Sequence, residues 1–179
     1  MKNILLLSGS SRPNSAGEKL VPIIKESVES HPDFSVDYVD VRQLDLPFFD
    51  QSVSPSSEDF IPQHDSAKNW LDKLSKCDAV ILLSPEYNGS LSAIQKNAMD
   101  WAYKEWFEKP VSLIGYGWSG AKRAQDNARV VLSNVKAIVM PVTANLSFTK
   151  QLAPDGTILD AEACKKNIDS AVEELIKNT

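Results

Sequence analysis

Residues 2–15 read KNILLLSGSSRPNS, and this stretch decides the architecture. Its apolar run, Ile4, Leu5, Leu6 and Leu7, has no alternation with polar residues. Such runs mark strands of a parallel sheet covered on both faces. The run is too short for a signal-peptide core of about 7–15 residues, or for a membrane span of about 20. It ends in GSSRPNS, residues 9–15, where the chain leaves the strand. Ser15 and Glu18 have the S-x-x-E spacing of a capping box, which opens a helix over about residues 16–30. Pro22 falls inside that helix, so a kink or an irregular first turn is expected.

Outward from this unit, strand and helix keep alternating. Strands are expected at residues 34–39, 79–84, 111–116 and 137–142, with helices at 65–76, 91–103, 121–134 and from Asp160 onward. Leu91, Ile94, Ala98, Trp101 and Ala102 form one helical stripe, and Ala161, Cys164, Ile168, Val172 and Leu175 another. Residues 41–63, interrupted by Pro47, Pro55 and Pro62, read as a long surface loop. Residues 143–159 read as a connection with a turn at Pro-Asp-Gly-Thr. There is no internal repeat and no linker, so residues 1–179 are expected to form one domain. The alternation implies an open, doubly wound α/β sheet, with ligands bound beyond the carboxyl ends of the strands.

Composition narrows the function. The chain has 179 residues, 42% of them hydrophobic, enough for a core of ordinary size. Nineteen Lys and Arg against 24 Asp and Glu give a net charge of −5, with no basic run beyond Lys165-Lys166. A duplex nucleic-acid binder needs a basic face that is missing here. Cys77 and Cys164 make no CxxC, and His31 and His64 lie far from both, which argues against a metal site. Two unpaired thiols fit a reduced, cytoplasmic protein.

The loops after the first, third and fourth strands carry the chemistry. GSSRPNS sets Ser10, Ser11, Ser15 and the Arg12 guanidinium at a helix N-terminus, a place that attracts a phosphate. The alternative is an ordinary turn in which Ser15 only caps the helix. Residues 115–120, GYGWSG, spell G-x-G-x-x-G, but they follow the fourth strand. No Asp or Glu stands between Asp126 and Asp155 to hold a ribose, so a dinucleotide fingerprint is excluded. Ala121 excludes a Walker loop, and the glycines are expected instead to let a flat ligand approach the backbone. PEYNGS, residues 85–90, exposes donors, acceptors and a ring, but Glu86 has no partner acid or histidine nearby. No G-x-S-x-G elbow is present.

GSSRPNS and, after the third strand, SPEYNGSLSAIQKNAMDW together resemble the two signatures of the NADPH-dependent FMN reductase family. That family's patterns run G-S-x-R-x-x-S and S/T-P-E-Y-N-x-S-x-P-x-x-L-K-N-A-x-D-W. GAKRAQ, residues 120–125, resembles its third loop. The resemblance covers about residues 1–142. It implies a flavodoxin-like three-layer sandwich with a five-stranded parallel sheet in the order 2-1-3-4-5 and helices on both faces. It implies that Ser10, Arg12 and Ser15 hold the FMN phosphate. It further implies that Pro85, Glu86, Tyr87, Asn88 and Gly89 line the isoalloxazine ring, with Tyr116, Gly117 and Ser119 flanking it from the other side. The chain departs from the pattern at Ser92, Ala93 and Gln95, where the family has Pro, Gly and Leu, and at Ser119-Gly120, where it has a glycine pair.

The implied reaction passes a hydride from NADPH or NADH through FMN to a quinone, azo compound, free flavin or similar small acceptor. No catalytic side chain and no metal is required, because the flavin carries the chemistry. The family resemblance also implies a homodimer or homotetramer, and neither a membrane nor a nucleic-acid partner is expected. Trp106 and Phe107 are expected to be exposed rings covered by a second subunit near the flavin. Two alternatives stand beside this reading. A flavodoxin-like electron carrier is disfavoured by Arg12 in the phosphate loop. An FMN-free binding module on the same fold is the other; a receiver domain would need acidic residues that LLLSGS lacks.

Overall fold

In the computed structural model, which describes residues 1–179, strands and helices alternate along the chain. They are β1 (Lys2–Ser8), α1 (Ala16–Glu29), β2 (Phe34–Asp40), α2 (Asp65–Lys76), β3 (Ala79–Pro85) and α3 (Ala93–Asp100). There follow β4 (Pro110–Gly117), α4 (Lys122–Asn134), β5 (Ile138–Val139), β6 (Ala144–Ser147) and α5 (Ala161–Lys177). All pairings are parallel, in the order β2-β1-β3-β4-β5, with β6 also on β4. This is the flavodoxin-like sandwich that the sequence implied.

The sheet separates two apolar layers. Leu5, Leu7, Val80 and Leu82 face α2, α3 and α4, while Ile4, Leu6, Ile81 and Leu83 face α1 and α5. Burial on both sides explains why β1 and β3 read as continuous apolar runs. No helix is long and apolar enough to cross a membrane. Both cysteines are free and buried.

Three local expectations need correction. The expected fifth strand is divided: β5 pairs with the start of β4, and β6 resumes beside residues 114–117. Pro141 stands in the gap and has no N–H to continue the ladder. The capping box does not form, because Ser15 makes no side-chain cap and Glu18 turns to Arg42 at 2.8 Å. Helix α1 contains the exposed Pro22 and continues on both sides of it. Helix α3 is shorter than its stripe suggested, capped by Ser92, whose hydroxyl accepts from Gln95 N at 3.2 Å.

The expectation about Trp106 is also overturned. Its side chain is fully buried in the layer formed with α2 and α3, and it stands before β4, at the amino end of the sheet. It can neither face a second subunit nor approach the loops at the carboxyl end. Phe107 is the exposed ring of the two, at 41%.

Candidate cofactor cleft

The carboxyl ends of β1, β3 and β4 open into a cleft of about 540 Å³, including the solvent at its mouth. At one end lies the loop after β1, which contributes Ser10, Arg12, Asn14 and Ser15. Ser15 is the N-cap of α1 by position, yet its hydroxyl is not spent on the helix. Glu18 N is bonded to the Ser15 carbonyl at 3.0 Å, which leaves the N–H groups of Ala16 and Gly17, at the start of α1, without intrahelical acceptors. The Arg12 side chain is exposed and has neither an ion-pair nor a hydrogen-bond partner. A helix N-terminus, the Ser15 hydroxyl and an unpaired guanidinium together offer the donors that an anion would need.

Backbone contacts hold this loop in place. Arg42 donates to the Arg12 carbonyl at 3.2 Å and to Glu18 at 2.8 Å. Its Nε and Nη2 donate to Asp40, at 3.0 and 2.5 Å. Burial pushes the Asp40 carboxyl up, but the hydrogen bonds and charge of Arg42 outweigh it and hold the carboxyl below its usual range. Arg42 is correspondingly raised, first by its hydrogen bonds to Asp40. The arrangement fixes where the Arg12 backbone runs while leaving its guanidinium free.

The loop after β3 forms the next wall with Pro85, Glu86 and Tyr87. Tyr87 and Ser90 exchange backbone hydrogen bonds at 3.0 Å in both directions, and Asn88 and Gly89 between them have φ of 52° and 78°. Two central residues in the left-handed region define a type I′ turn, for which Asn-Gly is the preferred pair. Asn88 and Gly89 therefore shape the loop, and neither lines the cleft. Glu86 is also committed. Its carboxylate accepts from Ser119 Oγ and from Arg123 N, both at 3.1 Å. Ala121, at the N-cap position of α4, has no side chain to cap with, so Glu86 supplies the cap from another loop. The same contacts tie the loops after β3 and β4 together and place Ser119 behind the cleft wall.

The loop after β4 contributes Tyr116, Gly117 and Trp118. Trp118 is 72% exposed and stands edge-on to Phe148, with ring centroids 5.6 Å apart. The other glycines of GYGWSG serve internal packing. A Cβ on Gly115 would lie 2.7 Å from the Ala121 side chain, and one on Gly120 would lie 2.9 Å from Asn145. Of the three glycines, Gly117 alone lines the cleft.

Besides Trp118, which stands between the expected Gly117 and Ser119, four lining residues escaped the sequence reading: Asn14, Ala16, Phe148 and Pro154. Asn14 sits in the phosphate loop with φ of 53°, and Phe148 and Pro154 belong to the connection between β6 and α5. That connection read as a plain turn, because its packing onto α1 is a long-range contact. The unexplained aromatic Phe148 beside PDGT was the one available signal.

A parallel sheet in this order, with the loops after its first, third and fourth strands meeting at one cleft beyond the carboxyl ends, defines the flavodoxin-like class. The chain belongs to the NADPH-dependent FMN reductase family, which matches residues 2–151. It is 32% identical over 160 residues to the "NAD(P)H-dependent FMN reductase ntnL" of Nectria sp, covering 86% of this chain and 76% of that one. It is 30% identical over 144 residues to the "2-hydroxy-1,4-benzoquinone reductase" of Burkholderia sp, covering 76% and 73%. Among solved structures, the flavoenzyme NAD(P)H:(acceptor) oxidoreductase FerB of Paracoccus denitrificans superposes with a TM-score of 0.76 at 26% identity, over 99% of both chains.

Proposed function

We propose that this chain is an FMN-dependent NAD(P)H oxidoreductase that reduces small planar acceptors, quinones first among them, with residues 1–179 acting as one FMN-binding domain. The observation that carries the reading is the joined cleft. An anion site with an unpaired Arg12 adjoins a slot between Pro85-Glu86-Tyr87 and Gly117-Trp118. The family match and the benzoquinone reductase relative support the same assignment.

FMN, when bound, supplies the redox chemistry by taking a hydride from the reduced nicotinamide and passing the electrons to the acceptor. The protein's part is to bind and orient. Arg12, Ser10 and Ser15 hold the phosphate through charge-assisted hydrogen bonds. Pro85, Glu86 and Tyr87 form one side of the ring site and Gly117 the other, while Asn88, Gly89 and Ser119 keep those loops in shape. Glu86, with both carboxylate oxygens engaged, is not placed to act as an acid or base. The open side of the slot must serve donor and acceptor in turn.

The reading includes a homodimer or homotetramer working in the cytoplasm. With Trp106 buried, the surface that supports association is the loop after β2, where Phe48 and Ile61 are 74% and 73% exposed. The test of the reading is to add FMN to the purified apoprotein and follow flavin fluorescence. Saturable quenching with one FMN per chain is expected; no quenching would remove the proposal.

A further inference from the structure

We propose that the Tyr116 hydroxyl donates a hydrogen bond to the phosphate of the bound FMN, which moves this residue from the flank of the ring to the phosphate end of the cleft. The inference rests on the FMN reading above.

Tyr116 is 4% exposed, and its Oη has no hydrogen-bond partner. A buried hydroxyl left without a partner is costly, so its persistence calls for a missing acceptor. The oxygen sits against the first turn of the 14-residue helix α1, where a Cβ on Gly17 would stand 2.6 Å away. This contact also explains Gly17 itself. Glycine weakens a helix relative to alanine, and here a methyl group would collide with the phenol. The ring is braced from another side by Phe148, with centroids 6.5 Å apart. Phenol, N-terminal N–H groups and the Arg12 loop thus converge on one lining of the cleft.

Of the serine hydroxyls at this end, that of Ser10 is already shared. Ser10 Oγ accepts from Arg12 N at 3.1 Å and lies 3.0 Å from Tyr87 Oη. Tyr116 adds a neutral donor that is not committed to the loops. Burial pushes its pKa up, so the phenol keeps its proton at neutral pH. A protonated phenol matches the acceptor-only oxygens of a phosphate dianion.

Tyr116→Phe tests this without opening a cavity. Binding of FMN and of riboflavin to the apoprotein is measured by flavin fluorescence quenching, and the melting temperature of the apoprotein is recorded alongside. FMN affinity is expected to fall about ten- to a hundredfold, as for loss of a hydrogen bond to a charged group. Riboflavin affinity should stay within about twofold, and the apoprotein should melt no lower, because an orphaned hydroxyl has been removed. A variant that binds FMN as the wild type does, or loses FMN and riboflavin equally, overturns the inference while leaving the FMN reading intact. A wild type that binds neither flavin overturns both.

Discussion

The hydroxyls of Ser10 and Tyr87 lie 3.0 Å apart, closing the loop after β1 against the loop after β3. The contact joins the loop proposed to hold the phosphate to the loop proposed to line the ring. Removing this bond should loosen both. Tyr87→Phe is expected to weaken FMN and riboflavin alike by about two- to tenfold, the range for a neutral hydrogen bond. Fluorescence titration of both flavins checks it, and a loss confined to FMN would assign Tyr87 to the phosphate instead.

Arg12→Ala separates binding from folding. The Arg12 backbone is held by Arg42 and Ser10 irrespective of its side chain. Truncation should leave the melting temperature of the apoprotein unchanged and cost about 1.5–3 kcal/mol of FMN affinity, with little effect on riboflavin. Equal losses for the two flavins would show that the guanidinium does not reach the phosphate.

The Asp40–Arg42 pair makes stability depend on pH in a defined direction. Asp40 is 5% exposed, and its carboxyl is held below the ordinary 3.8. A depressed folded pKa gives stability that is complete above the unfolded value and lost as pH falls through the folded one. Arg42→Met should cost about 1.5–3 kcal/mol at neutral pH, because it leaves a buried carboxylate unpaired. Below about pH 4 protonation relieves that charge, and the gap in melting temperature between variant and wild type should narrow. A gap that stays constant into the acid range would show that the pair adds no pH-dependent stability.

The sheet was legible because it depends on local patterning. β1 and α2 lie where their apolar runs and stripes placed them, at Lys2–Ser8 and Asp65–Lys76. What escaped was set by distant contacts. The Glu18 carboxylate left its capping box for Arg42, across 24 positions of chain. Glu86, which lines the cleft, also caps α4 from 37 positions away. Trp106 looked like an exposed ring because two neighbouring aromatics before a proline read as a loop, yet a short 3₁₀ turn at Lys104–Trp106 folds it inward. Gln95, which stands where the family has Leu, is fully buried beneath Gly9 with both amide atoms unpartnered. No periodicity argument exposes such a group. In the cleft, the residue types were readable, but the contact of the Tyr116 hydroxyl with Gly17 of α1 required the fold.

The central claim is that FMN held in this cleft takes electrons from a reduced nicotinamide and yields them to a small acceptor. The most direct measurement mixes FMN-loaded protein with NADPH, and separately NADH, without oxygen, and follows the flavin's blue absorption band. A quinone is then added. The account predicts that the band bleaches with one of the nicotinamides and returns when the quinone arrives. A band that persists with both nicotinamides, under conditions where dithionite bleaches it, would contradict the account.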